Sequence, residues 1–180
     1  MNTTRTYARG PSAQAGVTLI EVIIYLALFG LLMGGAITAA YNLFESESRG
    51  QTKAMMQEEG GFLIGKINWA LSGVQAVTAP AVGTKGSVLT VAKWDTTIGN
   101  PITIALTGVD ITMATSSNLS GMTLNNSNVS VSNLLFDHKE QLGVGNDPES
   151  VQFSFTLSAR LPDGILISES FPTSTVYLRQ

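Results

Sequence analysis

Apolar residues dominate one long stretch near the N-terminus of the chain. Between Val17 and Phe44 the only charged residue is Glu21, so residues 22–44 form an uninterrupted uncharged run. As a helix rising 1.5 Å per residue, this run would be about 35 Å long. It would therefore cross the hydrocarbon core of a bilayer, which is about 30 Å thick. The pattern predicts a membrane-spanning helix over residues 17–44.

The pattern remains helical beyond the apolar run but becomes one-sided. No proline interrupts residues 44–75, and apolar residues recur at helical spacing along one side. A helix with one apolar side packs that side on a folded domain and leaves the other solvated. We therefore expect one helix from Val17 to near Gln75, with a bend or weak point at Gly60-Gly61. The apolar side consists of Met56, Leu63, Ile67, Ala70, Leu71 and Val74.

Beyond Pro80, where we expect the helical region to end, the period changes from that of a helix to that of a strand. Residues 151–160 alternate strictly between apolar and polar, which predicts a strand with one buried face. Residues 161–164 have the composition of a turn, so the strand with Ile165 and Ile167 should return antiparallel to it. The fold class predicted is α+β, a long N-terminal helix packed on an antiparallel β-sheet head. Shorter strands are expected over residues 87–92, 101–106, 129–136 and 175–178.

Charge and cysteine content exclude several classes of function. The chain has 180 residues, 10 basic and 13 acidic side chains and no basic cluster, so we expect no nucleic-acid partner. It has no cysteine, which removes disulfides, thiolate metal sites and cysteine nucleophiles. His138 lies between two charged residues and is predicted to be solvent-exposed in a loop. Trp69 and Trp94 are predicted to lie in the core or between helix and sheet.

No combination of side chains indicates catalysis or a cofactor. No nucleophile has a candidate base near it in sequence, so we predict neither an enzyme nor a bound cofactor or metal. Residues 145–149 are acidic and rich in turn residues, but their spacing does not match a 12-residue EF-hand loop.

Residues 1–16 have the character of a leader. They carry Arg5 and Arg9, contain no acidic residue and precede the apolar run directly. The positive-inside rule places them in the cytoplasm and the chain beyond Phe44 outside. A cleaved secretory signal peptide is an alternative, although its apolar stretch is usually about 7–15 residues long. A permanent single-pass anchor is another.

Glu21 is the residue that a simple anchor does not explain. A charged side chain deep in a membrane helix costs about 2.5–3.5 kcal/mol on insertion scales and suggests a functional site. No basic residue lies in the apolar segment. If the Gly16–Val17 bond were cut, the new α-amino group on one helix could neutralise Glu21 of a neighbouring helix. The alternative is a glutamate at the membrane interface whose side chain reaches the headgroups.

The string from Gly16 to Ala27, GVTLIEVIIYLA, resembles the N-terminal signature of type IV pilins and type II secretion pseudopilins. The resemblance implies that a prepilin peptidase cuts after Gly16, that Val17 becomes N-methylated and that Glu21 guides subunits into a filament. Val17 departs from the phenylalanine or methionine that is usual in the family. Three segments of the head, residues 131–136, 151–157 and 171–179, resemble minor rather than major subunits. Many major pilins also have a C-terminal disulfide, which this chain cannot form.

Gly30, Gly34 and Gly35 lie inside the apolar run. Small residues at this spacing let membrane helices approach closely. The resemblance implies a second role, local unwinding when the subunit leaves the bilayer, since each glycine weakens a helix by about 1 kcal/mol relative to alanine.

Together these expectations describe a structural filament subunit, a minor pilin or pseudopilin. The predicted parts are a leader (1–16), a filament-core helix (17–44), its amphipathic continuation (45–75) and an extracytoplasmic head (76–180). The resemblance implies other pilin subunits, prepilin peptidase, an inner-membrane assembly platform and membrane lipid as partners. It also implies that the chain is located first in the inner membrane and then in an extracytoplasmic filament. The alternative is a single-pass anchored adhesive or ligand-binding ectodomain. A pilus, a secretion pseudopilus and a DNA-uptake filament all remain open.

Overall fold

A computed structural model describes residues 16–140 and 149–178. The predicted leader therefore lies outside the described residues except for Gly16. The chain divides into two compact units between Glu45 and Ser46. Helix α1 spans Leu19–Leu71 and supplies residues to both units.

In the first unit, α1 exposes its apolar side chains all around. Of residues 17–44, only Glu21 and Ala40 are half-buried, and the others are exposed. Among the described residues, α1 is the one helix with the length and composition to cross a membrane. The prediction of a long, apolar N-terminal helix is confirmed.

In the second unit, α1 buries one side against two β-sheets. The buried positions confirm the apolar side predicted from the sequence, except that Val74 belongs to the first strand. The helix continues through Gly60 and Gly61, and the bend or weak point expected there stays a prediction. Gly60 is buried and a Cβ there would overlap the Phe171 ring, so its small size serves packing. The buried residues of α1 are Met56, Gly60, Leu63, Ile67, Ala70 and Leu71.

The first sheet has five antiparallel strands in the order β1-β3-β4-β5-β6. The predictions of strands near residues 87–92 and 101–106 are confirmed by β3 and β4. Their buried side chains, such as Leu89 and Ile104, join the core with α1. The strands are β1 (Val74–Ala79), β3 (Val88–Lys93), β4 (Ile102–Thr107), β5 (Asp110–Thr115) and β6 (Asn118–Thr123).

The second sheet has four antiparallel strands in the order β2-β7-β8-β9. In β8 the apolar residues are buried and alternate with half-buried polar ones, which confirms the clearest strand prediction. The turn at residues 161–164 returns the chain antiparallel, as expected. The strands are β2 (Lys85–Gly86), β7 (Val129–Lys139), β8 (Ser150–Arg160) and β9 (Leu166–Tyr177).

Several elements differ from the sequence-based expectation. Helix α1 ends at Leu71 rather than near Gln75, and β1 occupies most of the residues between Leu71 and Pro80. Ser72 and Lys93 both donate to the carbonyl of Trp69, at 2.7 Å from their side chains, and Gly73 adopts a positive φ of 62°. Both bonds satisfy the carbonyl of Trp69, one of the carbonyl groups that the end of a helix leaves without a partner in the helix. Strands β1, β2, β5 and β6 were not predicted from the sequence.

The last strand was expected in two pieces and is one. β9 runs from Leu166 to Tyr177 and contains Pro172, with a register shift against β8 between Phe153 and Phe155. Proline is tolerated here because β9 is at the edge of its sheet and the pairing is irregular at that point.

Two predictions about single side chains are wrong. His138 lies in β7 and is completely buried, not solvent-exposed in a loop. Trp94 is 67% exposed, so it is not a core residue. Trp69 does lie at the helix–sheet boundary, with the Lys93 ammonium 4.3 Å from its ring centre.

Candidate processing and assembly site

The predicted cleavage point lies just before the helix. Gly16 and Val17 are exposed and belong to no helix or strand, and α1 begins at Leu19. A peptidase must bind its substrate backbone in a non-helical conformation around the scissile bond. The Gly16–Val17 bond lies outside α1, so cleavage there does not require the helix to unwind.

Thr18 caps the start of α1. Its carbonyl accepts hydrogen bonds from the backbone N–H of Glu21 at 3.1 Å and of Val22 at 3.3 Å. Its hydroxyl oxygen lies 3.4 Å from the same Glu21 nitrogen. Threonine at an N-cap with glutamate three residues later is the spacing of a capping box. The helix therefore starts immediately after the predicted new N-terminus.

The Glu21 carboxylate bonds a side chain that lies one helical turn further along α1. The Tyr25 hydroxyl donates a hydrogen bond to Glu21 Oε1 at 3.1 Å, one helical turn further along. Among the described residues, Glu21 has no ion-pair partner. The sequence analysis assigned no role to Tyr25. The four-residue spacing, which places two side chains on one helix face, was the signal that could have found it.

The three glycines of the apolar run lie within unbroken helix. Apart from the adjacent residues and the nearby backbone of α1 itself, a Cβ at Gly30, Gly34 or Gly35 would have no described atom within 4 Å. The carbonyl of Gly34 also accepts a hydrogen bond from the Thr38 hydroxyl at 2.9 Å. Such back-bonding weakens a helix slightly. The roles of the glycines in packing and unwinding stay predictions.

The charged side chains of the head that form clusters pair with each other. Asp137 accepts from Lys139 Nζ at 2.7 Å and lies 3.5 Å from Lys85 Nζ, and the hydrogen bond from Lys139 is the largest cause that lowers the pKa of Asp137. Burial lowers the pKa of Lys93, and Asp95 opposes this in part. Within residues 16–140 and 149–178, no three metal-ligating side chains come together. The acidic segment 145–149 lies outside the described residues except for Glu149.

Comparison with known families gives one match. The model of the prokaryotic N-terminal methylation motif matches residues 11–37, a span that includes Gly16, Val17, Glu21 and Tyr25. No curated protein and no solved structure matches the chain significantly. The chain thus carries a prepilin-type N-terminal methylation motif at the start of a long helix, and that helix packs on antiparallel sheets.

Proposed function

We propose that the chain is a minor pilin or minor pseudopilin, made as a membrane-inserted precursor and assembled into an extracytoplasmic filament. Prepilin peptidase cuts the Gly16–Val17 bond, and the new amino group of Val17 is methylated. The observation that carries the proposal is the combination of the matched motif with Glu21, the lone charged residue of an otherwise apolar and exposed helix segment.

The exposed apolar residues of α1 need apolar surroundings. We propose that lipid provides them before assembly and that the helices of other subunits provide them afterwards. Both environments are apolar, so transfer from one to the other gains little from the hydrophobic effect. Packing and charge must then determine how the subunits align. A carboxylate and an amine that pair across two helices provide such a signal, because each is costly to leave alone in an apolar medium.

The partners follow from this route. The precursor would meet prepilin peptidase and lipid in the inner membrane, then an assembly platform there, and finally other pilin or pseudopilin subunits. The assignment to the minor class is supported by the resemblance of three head segments and by the lack of cysteine. This assignment is tested by measuring the stoichiometry of subunits in purified filaments, because a minor subunit would be far less abundant than the main one.

The decisive experiment is mass spectrometry of the full chain co-expressed with a prepilin peptidase. We expect a product that starts at Val17 and carries the mass of one added methyl group. Gly16→Leu should leave the precursor uncut. Glu21→Gln should be inserted and cut normally but be absent from the filament fraction.

The same experiment distinguishes the alternative function. A chain that keeps its first 16 residues in the membrane, with the peptidase active on a control substrate, would be a single-pass anchored ectodomain. Normal incorporation of Glu21→Gln would refute the role of the charge pair.

A further inference from the structure

The Glu21 side chain has two polar neighbours on its own helix and bonds only one of them. In a capping box the N3 glutamate turns back to the backbone N–H of the N-cap residue. Here half of that motif is present, because Thr18 accepts from the Glu21 N–H. The carboxylate, however, accepts its hydrogen bond from the hydroxyl of Tyr25, which lies four residues further toward the C-terminus.

The direction of this side chain matters once the chain has been cut. The new amino group at Val17 would lie next to the capping residue, at the positive end of the helix. A Glu21 carboxylate that turned back would meet the amine of its own chain. That internal pair would partly neutralise both groups and would compete with pairing to a neighbouring subunit.

We propose that Tyr25 is a positioning residue that holds the Glu21 carboxylate away from its own N-terminus and leaves it available to the amine of a second subunit. The inference rests on the proposed function and deepens it by naming what prevents self-pairing. A hydrogen bond from a hydroxyl group to a carboxylate is stronger than one between neutral groups. It is stronger still in lipid, where water does not compete.

The helix offers a matched control for Tyr25. Tyr41 lies on the same helix, is 72% exposed against 59% for Tyr25, and makes no side-chain hydrogen bond within the described part of the chain. Both changes to phenylalanine remove one hydroxyl oxygen and keep the aromatic ring. A general effect of losing a tyrosine hydroxyl from the helix would therefore appear in both variants.

The test compares Tyr25→Phe, Tyr41→Phe and Glu21→Gln in the full chain, expressed with the peptidase and the assembly system. We expect Tyr25→Phe to be inserted, cut and methylated like the parent, while its ratio of filament-bound to membrane-bound subunit falls about tenfold, the loss of one charged hydrogen bond. Tyr41→Phe should match the parent. Tyr25→Phe combined with Glu21→Gln should be no worse than Glu21→Gln alone, because both act through one pair.

Infrared spectroscopy reports directly on the Glu21 carboxylate. Its bands would not change if Tyr25 served only to stabilise the helix. The difference spectrum between the mature parent and Glu21→Gln in detergent isolates the Glu21 carboxylate bands. These bands should shift in a Tyr25→Phe background and stay unchanged in a Tyr41→Phe background. Unshifted bands, or parental assembly of Tyr25→Phe while Glu21→Gln fails, would overturn the inference and leave the proposed function intact. Normal assembly of Glu21→Gln would instead overturn both.

Discussion

The imidazole of His138 lies 2.5 Å from Glu149, with Nε2 facing Oε1, inside the head. Its other nitrogen, Nδ1, lies 2.9 Å from the carbonyl oxygen of Pro80. A carbonyl can only accept, so Nδ1 must donate. The contact with Glu149 then needs one more proton, either on Nε2 or on the carboxyl group. His138 thus joins the start of β8 to the segment after β1, across a long separation in sequence.

We expect His138→Phe to lower the free energy of unfolding by about 3 kcal/mol, because the variant leaves a buried carbonyl and a partly buried carboxylate without this donor. Glu149→Gln, which keeps an oxygen for the ring, should cost less. The measurement is denaturant unfolding of the full chain in detergent, followed by the fluorescence of Trp69 and Trp94, which both report on the head. A His138→Phe variant as stable as the parent would contradict the importance of this contact.

Asp137 makes the stability of the head sensitive to acid. Lys139 and Lys85 lower the pKa of Asp137 in the folded protein below its ordinary value of 3.8. Above that value both the folded and the unfolded state are ionised, and the stabilisation is fully present. As the pH falls from 3.8 toward the folded pKa, the unfolded state takes up a proton first and the stabilisation is lost. We expect Asp137→Asn to flatten the loss of stability below about pH 4, measured by unfolding at a series of pH values.

The matched control for that titration is Asp163, which lies in the exposed turn between β8 and β9. Asp163→Asn removes the same charge without touching Lys139 or Lys85. If both variants changed the acid profile equally, general charge and not the lysine contacts would be the cause.

Gly60 and Gly61 are neighbours in α1, but Gly60 packs against the head and Gly61 faces open space. A Cβ at Gly60 would overlap the Phe171 ring, whereas a Cβ at Gly61 would have no atom within 4 Å. We expect Gly60→Ala to destabilise the head by about 1–3 kcal/mol through overpacking. Gly61→Ala should stabilise it by up to about 1 kcal/mol, because alanine favours a helix. Thermal unfolding of the two variants measures the difference, and the penalty at Gly60 should shrink in a Phe171→Leu background.

Asn125 links the two sheets. Its Oδ1 accepts from the N–H of Ile111 in β5 at 2.8 Å, and its Nδ2 donates to the carbonyl of Val129 in β7 at 3.0 Å. Asn125→Ala would leave both buried backbone groups without these partners, so we expect a loss of about 2–3 kcal/mol. Asn118→Ala, an exposed position in β6, is the control. Equal unfolding midpoints for the two alanine variants would count against the role of Asn125.

The sequence predicted those helices and strands whose pattern of apolar and polar residues repeats along the chain. The apolar side of α1 and the alternation of β8 were readable because each repeats over many residues, and the structure buries those positions. The charged neighbours of His138 suggested a loop, but its partners Pro80 and Glu149 come from other elements. No pattern around His138 could reveal them.

The same limit applies to the assembly site. Glu21 was conspicuous because it is a lone charge in an apolar run, and the matched motif includes it. The contact with Tyr25 depends on which way one side chain turns, which periodicity does not determine. The division of the strands into two sheets likewise depends on pairing between distant segments, such as β2 with β7.

Strand β9 forms an open edge of the second sheet, and its shape affects whether closely packed heads aggregate. A long, regular edge strand can pair with the edge of another molecule and merge two sheets into an aggregate. In β9, Pro172 has no N–H to offer such a strand, and the shifted register beside it breaks the even spacing of the remaining donors and acceptors. Heads held at high density can therefore lie side by side with less tendency to fuse into amyloid-like ribbons.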